Sequence, residues 1–192
     1  EQQFATTLFE QHKVEPNRKT VMISLLGSEK MKTYPLSYMA EVINSISDTY
    51  NVNILFNYFP KQLEEATIVY KLCSEKTQKN VYFDLLGSNL REYIAIMDKC
   101  DVIIGNDGGA VNLAKALEKP SFIIFSPWIE KKIWATFEDG IHHTSIHLTD
   151  IHPILILEKS EKDLKENAIA LYENLEPKYV INQLIPFLNR YL

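Results

Sequence analysis

The sequence predicts an α/β fold in which a doubly wound parallel sheet lies between two layers of helices. Three observations carry that prediction. Short apolar runs rich in β-branched residues recur along the chain, and helical stretches of about ten to fifteen residues separate them, the alternation that builds right-handed crossovers. The helical stretches open on proline or asparagine, as at Pro35, Pro60 and Asn89. Finally, 192 residues with 46% hydrophobic and 23% charged content suit one soluble globular core.

Residues 4–13, FATTLFEQHK, are expected to form a short peripheral helix, and residues 16–19 a linker, so residues 1–19 stand apart from the main unit. Residues 20–26, TVMISLL, carry no charge and suit a first strand buried on both faces. Across residues 35–50, Leu36, Met39, Ala40, Ile43 and Ile46 recur at three- and four-residue steps, an amphipathic helix. Residues 53–57 form the second strand, and Pro60 opens a helix that runs through Leu63, Ala66, Val69 and Leu72.

Residues 81–85 read as a third, weaker strand, and Asn89 with Glu92 forms a capping box for the helix through Ile94 and Met97. Strands four and five fall at 101–105 and 121–126, with a helix at 110–118 between them. Beyond Pro127 the pattern loosens into an aromatic and basic surface loop, followed by a sixth strand at 144–148. A helix at 162–174 completes the main unit, residues 20–174. A last helix from Pro177, kinked at Pro186, occupies 175–192 and packs on that unit or returns toward a further domain.

A net charge of -5 argues against broad nucleic-acid binding, which needs surplus Lys and Arg to displace counterions. No apolar run approaches the roughly 18 residues that span a bilayer, and no signal-peptide pattern opens the chain. Cys73 and Cys100 match no metal or redox spacing and read as small buried groups in helical stretches, consistent with a reducing cytoplasm. The start at Glu1, without an initiator Met, is read as a cut from something longer.

In a sheet of order 3-2-1-4-5, connections leave strands one and four in opposite directions, and a crevice opens at their carboxyl ends. The loops meeting there are 27–34 and 106–109. Gly108 and Gly109 precede a helix whose first amides lack intrahelical partners, a place where an anion approaches closely. Ser28, Lys30 and Lys32 face it from the other loop, so a diphosphate clamp is one reading. A helix end contributes about 0.3 to 2 kcal/mol and a charged hydrogen bond about 1.5 to 3, so base and sugar contacts must add the rest. The other reading makes Asp107 an N-cap and the glycines mere turn residues. The segment is neither the three-glycine dinucleotide fingerprint nor a Walker A loop.

His142, His143, His147 and His152 invite a metal reading, but their spacing fits no common zinc pattern and no cysteine is near, so they are assigned to a partly exposed loop at the cleft mouth. Trp128 and Trp134, with Lys131 and Lys132, are read as packing and a solvated charge pair before any contact with a base or phosphate. Asp48, Glu64 and Glu65 read as helix surface.

The stretch DVIIGNDGGAVNLAKALEKPSFIIFSP resembles that of the lipopolysaccharide heptosyltransferases, glycosyltransferase family nine, where the pattern is D-hydrophobic-hydrophobic-I-G-x-D-[ST]-G-x-x-H-L-A-x-A-L-x-x-P, an apolar strand and G-P. Upstream, ISLLGSEKMKTYPLSYMAEVI is similar to the family's loop with K-x-W-P, placing Lys32, Tyr34 and Pro35. The resemblance covers residues 20–130. It implies a Rossmann-like domain, the C-terminal half of a GT-B fold, that binds a nucleoside-diphosphate sugar, by family default an ADP-sugar.

By position, the resemblance implies that Lys32 contacts the donor phosphates, that Asp107, Gly108 and Gly109 form the loop beside diphosphate and sugar, and that Ser28 donates to a phosphate. The family's nucleoside-holding acid aligns loosely with Gln62, with Glu64 close by. Gly108 replaces the family's Ser or Thr, and Asn112 its His; Asn112 hydrogen-bonds but carries no charge. Implied too are inverting transfer, by default of a heptose, to a lipopolysaccharide-type glycolipid acceptor held by the N-terminal domain, which also supplies the general base. No metal or other cofactor is implied, and the setting is the bacterial cytoplasm, peripheral to the inner membrane. A non-catalytic nucleotide-sugar-binding module and a nucleotide-sugar epimerase of related architecture stay open as alternatives.

Overall fold

The computed structural model describes residues 1–192. Six strands form one parallel sheet: β1 (Thr20–Ser24), β2 (Asn53–Asn57), β3 (Val81–Tyr82), β4 (Val102–Asn106), β5 (Ser121–Ile124) and β6 (His143–Ile146). Their order is β3-β2-β1-β4-β5-β6, so the direction of winding reverses between β1 and β4. The helices are α1 (Gln2–Gln11), α2 (Leu36–Thr49), α3 (Leu63–Leu72), α4 (Glu75–Gln78), α5 (Leu90–Asp98), α6 (Gly109–Ala116), α7 (Lys131–Trp134), α8 (Glu161–Glu166), α9 (Ala168–Tyr172) and α10 (Pro177–Leu188).

The central strands are buried on both faces because neighbouring side chains point to opposite sides of the pleat. Val21, Ile23, Ile54, Phe56, Val102 and Ile104 join the larger core, with Met39, Ile43 and Ile46 of α2 and Val180, Leu184 and Phe187 of α10. Met22, Leu55, Ile103 and Ile123 point the other way, onto Ile96 and Met97 of α5 and Val111 and Ala114 of α6. Phe4, Leu8 and Phe9 of α1 pack on that second core, so the opening helix is docked against the domain rather than peripheral.

Asp101 sits at the amino end of β4, where Oδ2 accepts from the Thr20 amide at 2.8 Å and Oδ1 from Lys19 at 2.8 Å. It ties β1 to β4 at the end opposite the crevice. The third strand, expected over residues 81–85, is only Val81 and Tyr82. Phe83 leaves the ladder because its ring joins a cluster with Phe56, Tyr58 and Tyr70.

The helix expected at 162–174 is two short helices. Asn167 sits between them at φ -103°, ψ 8°, and its Nδ2 donates to the Asp163 carbonyl at 2.8 Å, which also accepts from the Asn167 backbone N–H at 3.1 Å. Asn89 caps α5 as predicted, accepting from the Glu92 amide, but Glu92 returns its bond to the Ser88 amide instead of Asn89. α10 continues through Pro186 to Leu188. Cys73 and Cys100 are buried just past the ends of α3 and α5, and burial pushes both thiols up, Cys73 to about 12.

Candidate functional site

The reversal point brings β1 and β4 together with Ser24 opposite Gly105. Gly105 has φ +136°, and a Cβ there would stand 2.2 Å from the Ser24 carbonyl oxygen, so only glycine fits this approach. The next residue, Asn106, is fully buried and holds the crevice together. Its Oδ1 accepts from the Tyr34 amide at 2.7 Å, and its Nδ2 donates to the Ser24 and Leu25 carbonyls at 3.3 and 2.9 Å.

The loop 27–34 is therefore fastened at its far end to the end of β4. The Tyr34 hydroxyl donates to the Leu175 carbonyl, which fastens the same loop to the chain ahead of α10. At the near end, Gln62 donates to the Gly27 carbonyl at 2.8 Å while accepting from the Phe59 amide at 3.0 Å. Inside the loop, a short 3-10 turn over Lys30–Lys32 aims Lys32 back across the crevice.

Lys32 Nζ comes within 3.9 Å of Asp107 Oδ2. Asp107 is buried, which raises its carboxyl above the ordinary carboxylate value, while the ammonium groups of Lys32 and Lys115 pull it back down. Lys115 is itself buried and lowered by that burial, with Glu138 and then Asp107 opposing the shift. Next to the ion pair, Gly108 has an extended φ of 166°, and no side chain caps α6. A Cβ added at Gly108 or Gly109 would meet nothing within 4 Å, so neither glycine is demanded by crowding. What their bareness leaves is open space over the first turn of α6, where backbone N–H groups point outward.

That space is part of a cavity of about 440 Å³ at the carboxyl ends of the central strands, lined by Ser28, Asn57, Tyr58, Gln62, Ser88, Tyr93, Asp107, Gly108 and Gly109 among others. A second cavity, of about 620 Å³, lies against loop 27–34 and is lined by Lys30, Tyr34, Lys61, Ile169 and Tyr172; Ser28 and Gln62 border both. In the smaller cavity Asn57 Nδ2 donates to the Tyr93 hydroxyl at 3.2 Å.

The predicted residues divide accordingly. Ser28, Asp107, Gly108 and Gly109 come together at the smaller cavity, and Lys32 joins them through Asp107. Gln62 borders the cavity too, but both ends of its amide are already engaged by backbone. Glu64 is exposed in the first turn of α3 and Asn112 is exposed on α6; neither lines these two cavities.

The histidines do not share a loop at the cleft mouth. His147 is buried at the end of β6, with Nε2 3.2 Å from the Ser126 carbonyl and Nδ1 2.7 Å from Thr149 Oγ1, because the chain needs those groups satisfied inside. His142 pairs with Asp139, and His152 packs edge-on against Tyr179. No group of three or more His, Cys, Asp or Glu is placed to hold a metal ion. Trp134 is exposed on α7, and Lys131 pairs with Asp150 at 2.6 Å. Sequence reasoning passed over Gly105, Asn106 and the Gln62 latch. Their partners lie in distant parts of the chain, and the one local signal is the place of Gly105 and Asn106 directly before Asp107.

A model of glycosyltransferase family 9 (heptosyltransferase) matches residues 1–149. The lipopolysaccharide heptosyltransferase 1 of Campylobacter coli is 32% identical over 120 residues, covering 62% of this chain and 34% of that protein. The family 9 glycosyl transferase structure from Veillonella parvula DSM 2008 superposes with TM-score 0.74 over 98% of this chain and 51% of its own, at 16% identity. The E. coli ADP-heptose heptosyltransferase II gives TM-score 0.61 over 91% and 53%, also at 16% identity. The chain thus spans about a third of the curated relative and about half of these two solved chains, and its sheet has the Rossmann-like architecture of the C-terminal half of a GT-B fold. With the family match running through the crevice from Ser24 to Asn112, the chain belongs to glycosyltransferase family 9.

Proposed function

We propose that the crevice between β1 and β4 holds the diphosphate of a nucleotide-sugar donor, and that the chain is the donor-binding part of an inverting glycosyltransferase. The observation that carries this reading is the Lys32–Asp107 pair standing beside the uncapped, side-chain-free start of α6. In the proposed reaction an acceptor hydroxyl oxygen bonds to the anomeric carbon, the bond from that carbon to the phosphate oxygen breaks, and the hydroxyl proton passes to a general base. The nucleoside diphosphate departs carrying the negative charge that Lys32 and the α6 amides are aimed to stabilise.

On this reading Ser28, Gly108 and Gly109 line the diphosphate and sugar, Asp107 orients the sugar and Lys32, and Gln62 shapes the nucleoside side of the cavity. Residues 20–174 form the donor-binding unit, with 175–192 closing over it. The general base and a glycolipid acceptor site belong to a second domain, a division supported by the partial coverage of the relatives. On this reading the donor is an ADP-sugar, by default ADP-heptose, and the acceptor is of lipopolysaccharide type; family membership and the heptosyltransferase relatives support both choices. No helix is long and apolar enough to cross a membrane. From the lipopolysaccharide-type acceptor of this reading we place the site of action in the cytoplasm at the face of the inner membrane. A non-catalytic sugar-nucleotide module is the second reading, favoured by Gly108 and the exposed, unengaged Asn112.

Titration of the chain with ADP-, GDP- and UDP-sugars, followed by amide NMR, tests the proposal. The amides of residues 106–112 are expected to shift, and Lys32→Ala is expected to weaken binding about tenfold, one charge-assisted contact. No shift in that loop at millimolar ligand refutes the donor site. Turnover by this chain alone would refute the division of labour, and binding without turnover after a family N-terminal domain is supplied would favour the second reading.

A further inference from the structure

Trp128 follows β5 at the same end of the sheet as the crevice, and two ammonium groups converge on it. Lys32 Nζ lies 5.4 Å and Lys165 Nζ 4.5 Å from the ring centroid, so the two nitrogens are no farther apart than the sum of those distances. Two phosphates, each taking a hydrogen bond at its outer end, can bridge such a span. Lys165 comes from α8, and its other contact is Glu161, one turn earlier on the same helix. An exposed pair of that kind is among the weakest ionic contacts, so Lys165 can exchange it for a phosphate at little loss.

One polar group at this place points the same way. The Trp128 indole N–H is buried without a hydrogen-bond partner. Charge balance adds the reason for a second cation. Lys32 already faces Asp107 and Lys115 is opposed by Glu138, so these pairs are neutral, and the α6 terminus adds only about half a positive charge. A diphosphate brings more negative charge than that to the site.

We propose that Lys165, held over the Trp128 ring, is the second cation of the donor site and contacts the phosphate that Lys32 does not. The proposal rests on the donor-site reading above. Trp128 sets the separation of the two lysines, and α8 thereby becomes part of the binding surface.

Calorimetric titration of the full chain with ADP, GDP and UDP, and with the matching nucleosides, provides the test. Lys165→Met, which keeps the stem over the ring, is expected to lower affinity for the bound nucleoside diphosphate about tenfold and to flatten its salt dependence. It should leave the nucleoside unaffected, while Lys165→Arg retains binding. Thermal unfolding of each variant verifies the fold; a tenfold loss in a variant that melts as the wild type does supports the proposal. Unchanged affinity in Lys165→Met, with loss in Lys32→Ala, overturns the proposal and leaves the donor site standing. Absence of binding by the wild type to all three diphosphates overturns both.

Discussion

Asn106→Ala is expected to be the most damaging single change at the crevice that removes no charge. The wild-type side chain makes three buried hydrogen bonds, accepting from the Tyr34 amide and donating to the Ser24 and Leu25 carbonyls. Alanine leaves the Tyr34 N–H stranded, at about 1–3 kcal/mol, and takes one donor from each carbonyl at about 1 kcal/mol apiece. The expected loss is therefore about 3–5 kcal/mol, a large part of the 5–15 kcal/mol typical of a domain. Urea unfolding followed by circular dichroism measures it. A loss below about 1 kcal/mol would show that water or a shift of loop 27–34 replaces the asparagine, and would refute its role as the fastening point.

Asn106→Asp sharpens the same argument. It keeps the acceptor for Tyr34 but turns a carboxylate toward two carbonyl oxygens, so its folded pKa is raised above the unfolded value near 4. A raised carboxyl destabilises the fold increasingly as pH climbs from that unfolded value through the folded one. Urea midpoints for Asn106→Asp should thus fall further behind the wild type at pH 7 than at pH 4, and a gap independent of pH would count against the geometry.

Other outcomes follow from neighbouring residues. Gly105→Ala, at φ +136° against the Ser24 carbonyl, should lose about 2 kcal/mol or more, whereas Gly108→Ala, extended and unobstructed, should stay within about 0.5; equal losses in urea unfolding would sink that contrast. Asp107→Asn removes a buried carboxylate whose folded pKa is raised. Relative to this variant, the wild type should lose stability as pH rises from about 4 through that folded value, and parallel pH profiles would refute it. Tyr34→Phe strands the buried Leu175 carbonyl and should destabilise by about 1–2 kcal/mol, read from the same unfolding curves; no change would mean that the bond contributes nothing to holding loop 27–34.

Much of the sheet was legible because burial on both faces forces continuous apolar runs, as in residues 20–24 and 102–104, while α2 shows its period in Met39, Ile43 and Ile46. The same rule fails where long-range contacts decide. The third strand stops at Tyr82 because Phe83 finds three aromatic partners that local sequence does not reveal. The break at Asn167 keeps the backbone hydrogen bonds to Asp163 and from Leu171, and the local sequence carries no signal of it.

At the site, the convergence of loops 27–34 and 106–109 followed from topology alone, since the order of strands fixes which ends face each other. The fastenings did not follow. Asn106 meets residues 72 to 82 positions away, and nothing in an isolated asparagine announces that. Gln62 aligns loosely with an acid of the family, yet its structural engagement is with two backbone groups. His147 read as a loop residue because four histidines fall close together, although its own environment is the interior beside Ser126.

The fastenings of loop 27–34, among them those to Gln62, Asn106 and Leu175, have a thermodynamic corollary. A loop already pinned at both ends surrenders little freedom when a ligand arrives, so the entropy lost on association is small and affinity reflects contacts made. A binding partner that displaced the segment around Leu175 would slacken the loop bearing Lys32 and weaken nucleotide binding without touching the nucleotide.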